Sequence, residues 1–127
     1  KVSQLARDIA ISIANEIDLI GILAIELFEL NNGGLVVNEI APRPHNSGHW
    51  TMDGCFTDQF EQAVRAAIGI NLGSTERLFD VVMQNLIGDD IYLADNLIND
   101  PNCRVHKYGK KEIRPGRKMG HVNHIIR

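Results

Sequence analysis

Glu26 and Glu39 lie in two apolar runs, GILAIELFEL and LVVNEIA, joined by NNGG. Runs of strand formers on either side of Asn-Gly are the strongest short-range hairpin signal a sequence offers. With Asn32 and Gly33 as the two central turn residues, facing positions have numbers that sum to 65, so Asn31 faces Gly34 and Glu26 faces Glu39. Opposed carboxylates with β carbons about 5 Å apart destabilise a sheet. A divalent cation between them removes that penalty, and oxygen ligands with a phosphate co-ligand are the usual surroundings of Mg²⁺. A second reading leaves both glutamates in solvent, with a bulge shifting the register. Asn38 has the opposite side-chain parity to Glu39, and a strand-end position lets its amide reach a metal or a phosphate.

The run Arg43-Pro44-His45-Asn46-Ser47-Gly48-His49-Trp50 is the densest polar cluster in the chain. Arg43 offers a planar fork of donors suited to phosphate or carboxylate, and Pro42 and Pro44 stiffen the backbone that carries it. His45 and His49 titrate near neutrality and suit acid, base or hydrogen-bond donor roles. Two His four apart form a metal pair only on a helix, which the prolines and Gly48 disfavour. A rigid loop capping a core, anchored by Trp50, is the other open account.

Charge is unevenly distributed. Residues 1–103 hold five basic and fifteen acidic side chains, a net of −10, while residues 104–127 hold eight basic side chains and the single acid Glu112, a net of +7. In the basic part, Lys107, Lys110, Lys111, Arg114, Arg117, Lys118 and His121 are interspersed with Gly109, Gly116 and Gly120. Glycines beside cations let a backbone approach an anion closely. Such a segment suits a phosphate ester, a nucleic acid or a solubilising face. It holds one aromatic, Tyr108, and no helix-turn-helix, zinc-finger or RNP pattern.

These residues need an ordered frame. The chain has 127 residues, 44% hydrophobic and 23% charged, enough for one ordinary globular domain and unlike a disordered chain. No apolar run approaches the ~20 residues of a membrane span. Cys55 and Cys103 are too few for a disulfide framework and read as reduced packing residues of a cytoplasmic protein. The opening KVSQLARDIA has neither an initiator Met nor a signal-peptide layout, so the chain is expected to be a piece of something longer. Leu5, Ile9, Ile13 and Ile17, with Ala6, Ala10 and Ala14 beside them, predict an amphipathic helix over residues 3–20 with a narrow buried stripe. After the hairpin, residues 42–54 read as an ordered loop. Phe60, Val64 and Ala67 share a face of a helix expected over residues 58–68, which Gly69 can end. A strand at DVVMQNLIG, turn and short helix over residues 89–102, and strands at CRVHKY, through Glu112 and Ile113, and at MGHVNHII complete the expected elements.

The run NEIAPRPHNSGHWTMDGCFTDQFEQAVRAAIG, the spaced NLIGDD and the terminal RPGRKMGHVN closely resemble the C-terminal part of the carboxyaminoimidazole ribonucleotide synthase family. These are ATP-grasp enzymes, the ATPase subunits of the two-component phosphoribosylaminoimidazole carboxylase of purine biosynthesis. The resemblance runs from the GILAIELFE strand to the chain end. It implies an α+β fragment: residues 1–72 as the second half of an ATP-grasp domain (helix, antiparallel hairpin, helix) and residues 73–127 as a small, mainly antiparallel β domain. It implies Mg-ATP, with Mn²⁺ as an alternative, and the small-molecule substrates bicarbonate and aminoimidazole ribonucleotide. Glu26 and Glu39 match the metal ligands, with Asn38 beside them at the nucleotide. Arg43 and His45 match catalytic positions, Asn46 and Ser47 substrate-binding ones, and Lys110, Arg117 and Lys118 those that hold the substrate phosphate. The family pattern implies a cytoplasmic homodimer at full length, with no nucleic-acid or membrane partner. The family's other two thirds are missing, so the fragment is expected to be inactive alone. Two other classes stay open: a nucleic-acid-binding module that uses the basic segment, and a non-catalytic subunit that works by pairing with a partner chain.

Overall fold

A computed structural model describes residues 2–126 of the chain. In order it contains α1 (Val2–Glu16), β1 (Ala24–Glu29), β2 (Leu35–Ala41), a single helical turn α2 (Thr51–Gly54), α3 (Gln59–Ala67), β3 (Asp80–Ile87), a short α4 (Ala94–Leu97), β4 (Cys103–Lys107) and β5 (Lys118–Ile126). This is the α+β architecture expected of the sequence. It divides into two compact units, one built from the residues up to Gly48 together with Gln59–Gly73, the other from His49–Asp58 together with the residues from Ser74 onward. The sequence places one break between residues 72 and 73. The units instead exchange His49–Asp58, because that segment hydrogen-bonds to the C-terminal sheet, with Asn123 of β5 donating to both the His49 carbonyl and Asp53.

In the first unit, α1 stops at Glu16 rather than near residue 20. Asp18 adopts a φ of 46°, and the N–H groups of Asp18 and Leu19 donate to the carbonyls of Asn15 and Ala14, which closes the helix end with a left-handed residue. The expected stripe is only half-buried: Ala6, Ile9, Ala10, Ile13 and Ala14 are partly covered, and no residue of α1 is fully buried.

The hairpin loop also differs from expectation. Leu30 N–H donates to Gly34 O at 2.8 Å, Gly33 N–H donates to Leu30 O at 2.8 Å, and Gly33 has a φ of 79°. That is a three-residue loop with glycine in the left-handed position, so Leu30, not Asn31, stands opposite Gly34. Next to it Leu27 faces Val37 and Phe28 faces Val36, one position off the two-residue-turn register. A bulge at Asn38 then adds one residue to β2 and returns Glu26 to Glu39 and Ala24 to Ala41. The expected pairing of the glutamates is met through two offsets that cancel.

Helix α3 ends as expected, with Gly69 at a φ of 72°. Its inward side is carried by Gln59 and Gln62, however, while Phe60 and Val64 are exposed.

In the second unit β5 is the central strand, antiparallel to β3 on one side and β4 on the other. Leu86, Ala94, Cys103 and Val122 form the core on one face, with Ile91, Leu97 and Val105 packed against it. The alternate β5 residues, His121 and Asn123, are equally buried and serve a polar cluster. The strand expected through Glu112 and Ile113 is absent. Residues 108–117 are a loop, turned at Gly109 (φ 66°) and Gly116 (φ 73°).

Candidate active site

In the first unit the bulge shapes the carboxylate pair. Two residues of β2 oppose one of β1 there, which re-aims Asn38 toward Glu26 despite its parity, and its Nδ2 donates to Glu26 Oε2 at 3.2 Å. His45 Nε2 lies 3.7 Å from Glu26 Oε1, with the imidazole 13% and the carboxylate 44% exposed. The Ser47 backbone N–H donates to His45 Nδ1 at 3.3 Å, and Ser47 Oγ lies 2.9 Å from the same atom. Nδ1 is therefore an acceptor, which assigns the proton of the neutral ring to Nε2, directed at Glu26.

Among the described residues no Lys or Arg pairs with Glu26 or Glu39. Two carboxylates and an amide oxygen are hard donors suited to Mg²⁺ or Mn²⁺. No group of three or more His, Cys, Asp or Glu placed for a metal occurs among the described residues. A cation held by this pair would complete its shell with oxygens from water or a phosphate, the usual condition of protein-bound Mg²⁺.

The loop after β2 is held by its backbone. His45 N–H donates to Gln59 Oε1 and Gln59 Nε2 donates to the His45 carbonyl, both at 2.9 Å, so one buried amide pairs with His45 as a neighbouring strand would. Gln62, three residues along the same helix face, holds Gly73 in the same way at 2.8 and 2.9 Å. Gly48 leaves room for this clamp, because a Cβ there would lie 2.4 Å from Gln59 Oε1 and would displace that side chain. Arg43 is exposed, with Nη1 donating to the Pro44 carbonyl at 3.0 Å. Asn46 and Ser47 form the short helical turn that follows.

In the second unit the basic residues divide. Lys107 is paired with Asp95 at 2.7 Å and Arg114 with Glu112. Arg117 donates to the Glu112 carbonyl at 3.2 Å, and Lys110 Nζ donates to the Lys118 carbonyl at 2.6 Å while standing 5.4 Å above the Tyr108 ring. Lys118 opens β5 and is exposed. Gly88 anchors this segment through its N–H to the Arg117 carbonyl at 2.8 Å. Its φ is 55°, and a Cβ there would stand 3.2 Å from the Arg114 carbonyl oxygen.

His121 does not belong to the basic surface. It is 1% exposed, stacks on the rings of His106 (4.5 Å) and His49 (4.9 Å), and meets the Tyr108 hydroxyl through Nδ1 at 2.9 Å. Desolvation first, and then the neighbouring imidazoles of His106 and His49, lower its pKa to about 4. Asp53 Oδ2 holds His106 Nε2 at 2.8 Å and Asn123 Nδ2 at 2.6 Å. Burial pushes both cysteine thiols up, and Cys103 Sγ rests 3.3 Å from His124 Nδ1, so both fit packing roles.

Sequence reasoning missed Gln59, Gln62, Asp53, Gly88 and Asn123. Two signals were available: a pair of Gln at helix spacing, and polar His121 and Asn123 alternating with Val122 in a segment that reads as a strand.

An ATP-grasp domain model matches residues 1–60, and a phosphoribosylaminoimidazole carboxylase C-terminal domain model matches residues 81–127. N5-carboxyaminoimidazole ribonucleotide synthase of Brucella melitensis is 49% identical over 97% of this chain and 34% of that protein. A solved N5-carboxyaminoimidazole ribonucleotide synthetase in its ADP complex superposes with a TM-score of 0.92 at 44% identity, covering 98% of this chain and 33% of the other. The Aspergillus clavatus synthase in complex with ADP and 5-aminoimidazole ribonucleotide gives 0.77 at 34% identity, over 84% and 30%. The chain thus spans about a third of the length of the relatives it matches. Matched by both domain models and over nearly its whole length by these relatives, the chain belongs to the N5-carboxyaminoimidazole ribonucleotide synthase family, as a C-terminal third of its members.

Proposed function

We propose that the chain supplies the C-terminal part of an ATP-dependent carboxylating ligase that converts 5-aminoimidazole ribonucleotide, bicarbonate and ATP to carboxyaminoimidazole ribonucleotide, ADP and phosphate. The observation that carries this reading is the facing pair Glu26 and Glu39, with Asn38 drawn onto the same side by the bulge and no Lys or Arg neutralising the pair among the described residues. Glu26 and Glu39 would hold Mg²⁺, or Mn²⁺, beside the ATP phosphates. Bound there, the cation supplies charge neutralisation for the transferring phosphoryl group.

The remaining roles fall to the chain's own groups. Arg43 has the fork geometry to grip a bicarbonate-derived anion. His45 donates a hydrogen bond from Nε2, held in that tautomer by Ser47 at Nδ1. Asn46 and Ser47 orient the ribonucleotide, and Lys110, Arg117 and Lys118 hold its phosphate. The Aspergillus relative solved with ADP and 5-aminoimidazole ribonucleotide supports this substrate assignment. Two thirds of the relatives' length lies outside this chain, so turnover is expected only when that part is supplied, in a cytoplasmic homodimer of the full-length protein. No helix among the described residues is long and apolar enough to cross a membrane. A nucleic-acid role is disfavoured because Lys107 and Arg114 already pair with Asp95 and Glu112.

The test uses Trp50, the only tryptophan. Its fluorescence is followed while 5-aminoimidazole ribonucleotide is titrated with Mg²⁺, and in parallel with a short DNA duplex at two salt concentrations. Saturable binding that Arg117→Ala weakens about tenfold to a hundredfold, as loss of a charged hydrogen bond does, is the expected result. Silence toward the ribonucleotide together with salt-sensitive DNA binding overturns the reading.

A further inference from the structure

We propose that Tyr108 is a positioning residue for the ribonucleotide phosphate: its ring carries the ammonium of Lys110, and its hydroxyl is locked by the buried ring of His121. This rests on the substrate reading of Lys110 given above. Lys110 stands on an exposed loop, and a lysine there samples many rotamers unless something holds it. Two contacts do so, the Lys118 carbonyl at 2.6 Å and the face of Tyr108 at 5.4 Å from its centroid. An ammonium has three N–H donors, so a bond to one carbonyl and a seat on one ring face still leave it able to donate to an anion.

The ring can orient Lys110 only if it is itself fixed. Tyr108 N–H donates to Met119 O at 2.9 Å, which ties its backbone to β5, and its hydroxyl meets His121 Nδ1 at 2.9 Å. His121 is a rigid anchor. It sits on the central strand and stacks on His106 with planes 15° apart and on His49 with planes 27° apart. Asp53 fixes His106, and Asn123 fixes Asp53. A line of contacts therefore runs from Asp53 through His106, His121 and Tyr108 to Lys110. Burial keeps His121 uncharged down to a pH of about 4, so the anchor adds no cation that would repel the ammonium.

The test is made on this chain by NMR and by ribonucleotide titration. In the wild type the Lys110 ε-methylene protons are expected upfield, shielded by the Tyr108 ring. Tyr108→Phe keeps the ring and removes the hydroxyl; it should lose much of that shift and weaken ribonucleotide binding about threefold. Tyr108→Leu should abolish the shift and weaken binding about tenfold. The double variant Tyr108→Leu/Lys110→Ala should bind no more weakly than Lys110→Ala alone. A full upfield shift in Tyr108→Phe overturns the proposal, as does simple additivity in the double variant or a fall in Tm with neither readout changed. If the wild-type chain does not bind the ribonucleotide, the fault lies with the substrate reading, and the Lys110 shift still decides whether Tyr108 positions it.

Discussion

His121 is held near a pKa of about 4 because its burial removes the water that would solvate an imidazolium and because the rings of His106 and His49 lie against it. The unfolded chain, by contrast, protonates this side chain near the ordinary value of 6.5. Below pH 6.5 the unfolded state therefore binds a proton that the native state refuses, and stability falls until about pH 4, by about 3 kcal/mol at most. Above 6.5 the group contributes no pH dependence. Urea midpoints measured from pH 7 to 4 should show this slope, and His121→Phe should flatten it whatever its absolute stability. An unchanged slope would mean that the ring is hydrated. At this scale the sequence shows residue types but not their environments. His121 in GRKMGHVN reads as one more cation, whereas Glu26 and Glu39 are legible because two short runs and one turn determine their proximity.

At the scale of elements, local signals succeed where neighbours in sequence are the cause and fail where distant packing is. Gly69 ends α3 as expected, and DVVMQNLIG, CRVHKY and MGHVNHII form strands. The helix α1 ends early because Asp18 takes a left-handed conformation that apolar periodicity does not register. The bulge at Asn38 is likewise invisible to a register count from the turn, although it is what brings the amide to Glu26. The clamp of α3 on the loop gives a prediction of its own. Gln59→Ala removes both bonds to His45 and leaves the His45 N–H and C=O partly buried, so it should cost about 1–3 kcal/mol. Gly48→Ala should have a related effect by displacing Gln59. Chemical denaturation measures the loss, and the His45 ring nitrogens should report a changed tautomer in both variants. Wild-type stability in Gln59→Ala would show that the clamp is not formed.

At the scale of the whole molecule the two units differ in what holds them. Among the described residues, the buried apolar ones are Leu86, Ala94, Cys103, Met119 and Val122 in the second unit and Ala41 alone in the first. A two-stranded hairpin with a helix that is only half-buried is marginal by itself. Amide exchange should therefore be slowest in β5, flanked by two strands, and much faster in α1, β1 and β2. Uniform protection across both units would contradict this. The exposure of Ile11, Phe28, Val36 and Ile40 in the first unit accords with a chain spanning a third of its relatives.

The sequence by itself determined the family, the order and type of most elements, the carboxylate hairpin, the polar loop and the basic segment. Each of these is written in contiguous residues or in spacings of a few positions. Only the tertiary structure decided that His49–Asp58 joins the C-terminal sheet, that Gln59 holds His45, and that His121 is an uncharged anchor. Those outcomes depend on contacts between residues as far apart as Asp53 and Asn123, and on burial, which sets the cost of a charge and is a property of the assembled fold.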